Sequence, residues 1–154
     1  YSDDDWDRLG ESPIGHAPAR LVLAHALWDS WLHERDILEP LGLAGDVHTD
    51  DLRCAVTYSL LITSAQGGLL DDPAPVGPGL GAPVDTTLAF DDLPDHPLRV
   101  EIGTGVRVSI GSSEGAVPAG SALTLIEVGP GRSDGELHLP DELAAHLTRA
   151  REIL

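Results

Sequence analysis

The chain has 154 residues, a formal net charge of −17 and a single cysteine. The negative charge and the nine scattered cations, all of them arginine, exclude a basic footprint for nucleic acid or an anionic membrane surface. No apolar stretch approaches the ~20 residues of a membrane span, and one cysteine cannot form an internal disulfide. These properties predict a cytoplasmic chain of one domain or two small ones, without nucleic-acid or membrane partners.

The first predicted element is a long helix over residues 18–39, and residues 1–17 before it are expected to form a loop. Pro18 suits the first position of a helix, where a missing N–H costs nothing. The next glycine or proline is Pro40. Apolar side chains recur at roughly helical spacing along this stretch, at Leu21, Trp28, Leu32 and Ile37.

The polar residues of this helix are its most informative feature. Asp29 and His33 are four residues apart, so their side chains project from the same face. Trp28, Trp31 and Leu32 crowd around them, which predicts a buried setting. A carboxylate and an imidazole in this arrangement can supply two ligands of an open divalent-metal site. The alternative interpretation is an exposed hydrogen-bonded pair.

His25 extends the row of polar residues by one more turn. Eight residues rise ~12 Å along a helix, whereas two imidazoles that share an ion must each lie ~2.1 Å from it. We therefore predict that His25 is not a metal ligand together with His33. A complete metal site therefore needs a further ligand from outside this helix.

A second helix is predicted over residues 51–66, with Thr49 or Asp50 as its cap and Gly67-Gly68 as its stop. Its apolar arc is wide enough to predict thorough burial. Cys54 lies on this arc and is predicted to be a small core residue rather than a nucleophile.

Residues 71–83 contain four prolines and three glycines and are predicted to be a linker. Short strands are expected after it at 86–90, 98–103 and 106–111, and an amphipathic helix at 140–154. Residues 121–128 fit either a strand or a short helix capped by Ser121. The predicted fold class is α+β. Two long helices (1–70) and the linker (71–83) precede a small antiparallel sheet covered by helices (84–154).

The sequence Leu-Trp-Asp-Ser-Trp-Leu-His-Glu-Arg-Asp-Ile-Leu at 27–38, followed by Pro-Leu-Gly at 40–42, resembles the metal-binding helix of a known enzyme family. This is the mycothiol-dependent maleylpyruvate isomerase family, whose members join a DinB-like four-helix bundle to a domain similar to sterol carrier protein 2. The resemblance implies that residues 1–70 are the later half of such a bundle and 84–154 the second domain. It also favours the helical interpretation of 121–128.

The resemblance implies a role for individual residues. Asp29 and His33 would bind a divalent metal, most often zinc. Asp36 could orient the ligands, and the alternative for it is an ordinary acidic residue near the end of the helix. Arg132, in the Gly131-Arg132 step before the last helix, would contact an anionic substrate or the thiol cofactor. The alternative for Arg132 is an ordinary turn arginine. The family's third ligand is a histidine on an earlier helix that this chain lacks, so we expect a homodimer or a companion chain to supply the missing helices.

The function implied by the resemblance is that of a metal-dependent and mycothiol-dependent isomerase or S-transferase acting on a small anionic electrophile. In the isomerase reaction a thiolate adds to the cis double bond of a dicarboxylate. Rotation about the resulting single bond and elimination of the thiolate then give the trans product. The alternative is a non-catalytic module that keeps the fold and binds a ligand or a partner.

Overall fold

The computed structural model describes residues 2–12, 15–69, 83–103 and 105–151. The chain divides into two compact units, residues 1–58 and 59–154. Of the predicted linker, only residue 83 lies within the described residues, so the boundary at 71–83 stays a prediction.

The first unit begins with regular structure where a loop was expected, so that expectation is wrong. A short helix, α1 (Asp3–Trp6), precedes two strands, β1 (Leu9–Ser12) and β2 (Gly15–Pro18). The strands form an antiparallel pair. Elements of four residues are too short to show a hydrophobic period, which is why the sequence pattern gave no sign of them.

The long predicted helix is present as α2 (Ala19–Leu38). It ends where Gly42 adopts a left-handed backbone, with φ of 66°. The Leu43 amide donates to the Leu38 carbonyl at 2.9 Å, and the Gly42 amide donates to the Glu39 carbonyl at 2.9 Å. This Schellman-type pair of hydrogen bonds satisfies the last carbonyls and sets the end of the helix.

The two long helices differ in how much of their surface is buried. Only Leu32 of α2 is buried, so the expectation of a buried setting for Asp29 and His33 is wrong. The second helix, α3 (Thr49–Leu69), buries Leu52, Ala55 and Val56 nearly completely, as its wide apolar arc predicted. It also runs through the two glycines predicted to stop it, because a glycine in a helix costs only about 1 kcal/mol and does not forbid one.

The second unit is built on a four-stranded sheet: β3 (Val84–Phe90), β4 (Leu93–Ile102), β5 (Val106–Ile110) and β6 (Val117–Gly120). The strand order is β5-β4-β3-β6. The α+β class is therefore confirmed. The sheet is mixed, because β6 lies parallel to β3 whereas the other neighbours are antiparallel. The sequence did not indicate β6, since it has four residues and contains a proline.

Two helices of the second unit complete it: α4 (Ala122–Val128) and α5 (Asp141–Arg151). The helical interpretation of residues 121–128 is thus the one observed. Ser121 accepts a hydrogen bond from the Thr124 amide and acts as the N-cap of α4. The core of this unit is made of apolar side chains from the strands and both helices, namely Leu88, Leu93, Val100, Leu125, Ile126 and Leu143.

Asp92, in the turn between β3 and β4, fixes the start of α4. Its carboxylate accepts hydrogen bonds from the Ala122 amide at 2.7 Å, the Leu123 amide at 3.2 Å and the Ser121 hydroxyl at 2.7 Å. The first amides of a helix have no partner within the helix, so this side chain from a distant turn satisfies them. One residue therefore ties the sheet to α4.

Replacement of Asp92 by alanine should lower the free energy of unfolding by about 2 kcal/mol, because three hydrogen bonds to one carboxylate are lost. Urea denaturation followed by circular dichroism measures the change. Asp91→Ala is the matched control, since the Asp91 contact to Gly120 is made by its backbone amide. Equal stability of the two variants would contradict this role for Asp92.

Candidate metal-binding site

Asp29 and His33 lie side by side on α2, as their spacing predicts. His33 Nε2 is 3.5 Å from Asp29 Oδ1, and both side chains are exposed, at 64% for His33 and 52% for Asp29. At this distance the two atoms make an electrostatic contact rather than a well-formed hydrogen bond. Both ligand candidates are thus accessible to an ion from solvent.

The separation of these two atoms fits a shared metal ion. Nitrogen and oxygen donors bind zinc at ~2.0–2.2 Å, so two donors at tetrahedral positions lie about 3.4 Å apart. The observed 3.5 Å between Nε2 and Oδ1 agrees with that value. Within the described residues, no group of three or more His, Cys, Asp or Glu side chains could hold a metal ion. Asp29 and His33 therefore stay a candidate pair of ligands, without a third candidate beside them in the described part of the chain.

Asp36 lies on the other side of the His33 ring. Its Oδ2 is 3.6 Å from His33 Nδ1, one helical turn beyond. A carboxylate near one ring nitrogen favours the proton there and leaves the other nitrogen free to bind a metal. At 3.6 Å, however, these two atoms make an electrostatic contact rather than a hydrogen bond, so an orienting role of Asp36 stays a prediction.

His25, the third polar residue of the row, has a partner of a different kind. Its Nδ1 shares a hydrogen bond with the hydroxyl of Tyr58, with 2.9 Å between the two atoms. The rings of His25, Trp28 and Tyr58 form a cluster whose centroids are 5.5–6.0 Å apart. These contacts are at distances typical of aromatic pairs. The cluster joins α2 to the first half of α3.

Tyr58 is the residue of this region that the sequence did not reveal as part of a site. It is only 2% exposed, and burial raises its pKa to about 12, with a further contribution from the negative charge of Asp29. Its partner His25 is 33 residues away in sequence. No local pattern encodes that contact, whereas the Asp29–His33 spacing is local.

Arg132 lies in the second unit, just after α4, and its side chain is exposed. Gly131 before it has φ of 74°. The Arg132 amide donates to the Glu127 carbonyl at 2.9 Å, and the Gly131 amide donates to the Val128 carbonyl at 3.0 Å. The Gly-Arg step therefore has a structural reason, since it closes α4 with a Schellman-type turn. The predicted contact of Arg132 with substrate or thiol stays a prediction.

A cavity of about 220 Å³ lies elsewhere in the first unit, and neither Asp29 nor His33 is among its lining residues. Arg35 stacks on the Trp31 ring, with 4.9 Å between the guanidinium carbon and the ring centroid. The cavity is formed by α2, the start of α3 and the connection between them, through Trp31, Glu34, Arg35, Leu38, 44–48 and Asp51.

Cys54 has the properties of a structural thiol. Burial raises its pKa, Asp51 raises it further, and Arg53 opposes them in part. A raised pKa keeps the thiol protonated at neutral pH and lowers its reactivity.

Comparison with protein-family models, with curated proteins and with solved structures gave no match. Among the described helices, none combines the length and apolar character needed to cross a membrane.

The raised pKa of Tyr58 should make the protein less stable in alkali. The folded phenol has a pKa of about 12, whereas an unfolded tyrosine has about 10. The contribution of Tyr58 to the free energy of unfolding is therefore at its maximum below pH ~10. It should decrease by up to ~3 kcal/mol between about pH 10 and 12. Urea unfolding at several pH values measures the loss.

Tyr58→Phe is the control, because it removes the phenol and should flatten that pH dependence. Asp29→Asn should lower the pKa of Tyr58, since a negative charge beside the phenol is removed. Absorbance of the phenolate measures the pKa of Tyr58 in the wild type and in Asp29→Asn. An unchanged titration in Asp29→Asn would contradict the coupling.

Proposed function

We propose that this chain is a metal-dependent and thiol-dependent isomerase or S-transferase that acts on a small, anionic electrophile in the cytoplasm. The observation that carries the proposal is the 3.5 Å separation of His33 Nε2 and Asp29 Oδ1 on an accessible helix face. It is the separation that a tetrahedral ion requires of two of its ligands. The proposal also draws on the resemblance of residues 27–42 to a metal-binding helix.

Each residue of the site has a distinct task. Asp29 and His33 hold the ion, and Asp36 orients His33 through Nδ1. Nitrogen and oxygen donors at tetrahedral spacing favour zinc. When bound, such an ion lowers the pKa of a thiol at its open position, so that the thiol reacts with an electrophilic carbon at neutral pH.

The substrate and cofactor follow from the same chemistry. A low-molecular-weight thiol such as mycothiol is available in a reducing compartment. Arg132 would pair with a carboxylate of the substrate, because a guanidinium can bind it through two parallel hydrogen bonds. This pairing suits a dicarboxylate such as maleylpyruvate.

A second candidate function is a non-catalytic binding module. The observation that favours it is the exposure of large apolar side chains on α2, with Leu23 at 53% and Ile37 at 63%. Apolar side chains that face solvent together are typical of surfaces that bind a partner. Turnover of a cis-dicarboxylate in the presence of mycothiol would separate an enzyme from such a module.

Protein purified without a chelator should contain zinc, and Asp29→Ala and His33→Ala should each lose it. Asp36→Asn should weaken zinc binding by about 10–100-fold, as expected for a residue that orients a ligand. Elemental analysis and competition with a chromogenic chelator measure content and affinity. His138→Ala is the control, because the contact described for His138 is made by its backbone amide. Equal zinc content in all variants would refute the assignment.

A further inference from the structure

One face of α2 carries a stripe of exposed side chains with two apolar ends and a polar centre. Its members recur at alternate spacings of four and three residues, so they lie on one side of the helix. They are Leu23, Leu27, Ser30, Glu34, Ile37 and Leu41, which together we call the α2 stripe. Leu41 continues the path of α2, because the hydrogen bonds at Gly42 and Leu43 make it the C-cap residue of the helix. Large apolar side chains thus face solvent at both ends of the stripe.

The polar centre of the α2 stripe adjoins the cavity of the first unit. Glu34 belongs to the stripe and also lines the cavity, and Leu38, the residue after Ile37, is part of the cavity wall. A volume of about 220 Å³ is enough for several water molecules at ~30 Å³ each, and therefore for one long side chain. The stripe and the cavity form one continuous surface of the first unit.

The cavity suits a lysine or arginine side chain that enters from outside. Its described lining residues include one arginine, Arg35, whose guanidinium already contacts Glu39. Leu38 and Val47 offer apolar contact to the methylene groups of such a side chain. Three carboxylates can bind its charged end, those of Glu34, Asp46 and Asp51. Negative charge therefore exceeds positive charge around the cavity.

The charge of the whole chain determines which kind of partner can bind this surface. A net charge of −17 repels a second copy and attracts a cationic partner. The α2 stripe is only ~27 Å long, and one face of a helix is smaller than the ~800 Å² per partner of a standard interface. Opposite charge on the partner supplies the attraction that this apolar area alone does not provide.

We propose that the α2 stripe and the adjoining cavity bind a basic amphipathic helix of another protein. The partner helix lies along α2, and its apolar side chains cover the two ends of the stripe. Between them, a lysine or arginine of the partner faces Glu34 and enters the cavity. The proposal uses neither Asp29 nor His33, so it does not depend on the metal-dependent function proposed above. It gives the chemistry of the partner that the second candidate function requires.

A synthetic helical peptide tests the surface as a whole. The peptide has ~20 residues, to match the length of the stripe. It carries leucines along one face, lysines elsewhere, and one lysine at the centre of the leucine face. Calorimetric titration of the whole chain at physiological ionic strength, with a chelator present, should show one peptide per chain. A peptide of the same composition without an apolar face should bind at least about tenfold more weakly. Equal affinity for both peptides would overturn the proposal.

Substitutions in the chain test the apolar contact separately. Ile37→Ser should weaken binding of the peptide at least about tenfold, because an apolar contact of the stripe is lost. Ile110→Ser is the matched control, since Ile110 is an exposed isoleucine of the second unit and lies outside the proposed surface. It should leave the affinity unchanged. Equal weakening by the two substitutions would overturn the assignment to the α2 stripe.

A pair of charge substitutions tests the cavity. Glu34→Gln with Asp51→Asn should weaken binding of the peptide at least about tenfold, because the partner's lysine loses two carboxylates. Asp95→Asn with Glu114→Gln removes the same charge from exposed positions of the second unit and should weaken it no more than about twofold. Circular dichroism checks that every variant keeps its helices. Equal weakening by the two pairs would overturn the cavity contact.

Two other occupants of the stripe are distinguished in the same experiments. A stable dimer in light scattering that Ile37→Ser dissociates would assign the stripe to a second copy and overturn the proposal. Binding to phosphatidylcholine vesicles that Ile37→Ser abolishes would assign it to a lipid surface, with the same consequence. The expected result is a monomer that binds the basic peptide and not the vesicles. Failure of the peptide to bind would overturn this proposal and leave the metal-dependent function, which zinc content tests, intact.

Discussion

The four-residue separation of Asp29 and His33 along a regular helix is the constraint on which the candidate chemistry depends. Backbone hydrogen bonding through α2 holds the two side chains on one face, and the 3.5 Å between Nε2 and Oδ1 follows from it. Asp36 is placed beside Nδ1 by the same geometry. A kink inside α2 would separate these three groups, because their spacing depends on the regular path of the helix.

The buried cluster beneath this face gives the site a connection to the rest of the first unit. Tyr58 from α3 contacts His25 and Trp28 of α2, and the charge of Asp29 contributes to its raised pKa. A change of charge at Asp29, including the binding of a cation, should therefore change the pKa of the Tyr58 phenol, which is shielded from solvent. The cluster packs the two helices together, and the pKa of Tyr58 within it depends on the charge of Asp29.

The exposure of α2 is the feature of the first unit that contradicts the expectation drawn from the sequence. Its two ligand candidates face solvent, and so do Leu23 and Leu27. The candidate ligands and these apolar side chains therefore lie on the same solvent-exposed helix.

The sequence by itself determined what depends on neighbouring residues: the extent of α2, the shared face of Asp29 and His33, the capacity of Ser121 to cap α4, and the buried face of α5 at Leu143 and Leu147. Helical periodicity and capping are local, so they can be deduced from the order of residues. Only the tertiary structure decided that α2 is exposed, that β6 lies parallel to β3, that Tyr58 meets His25, and that Asp92 holds α4. The last three features join segments about 30 residues apart, and the packing of the chain, rather than any local pattern, selects which segments meet.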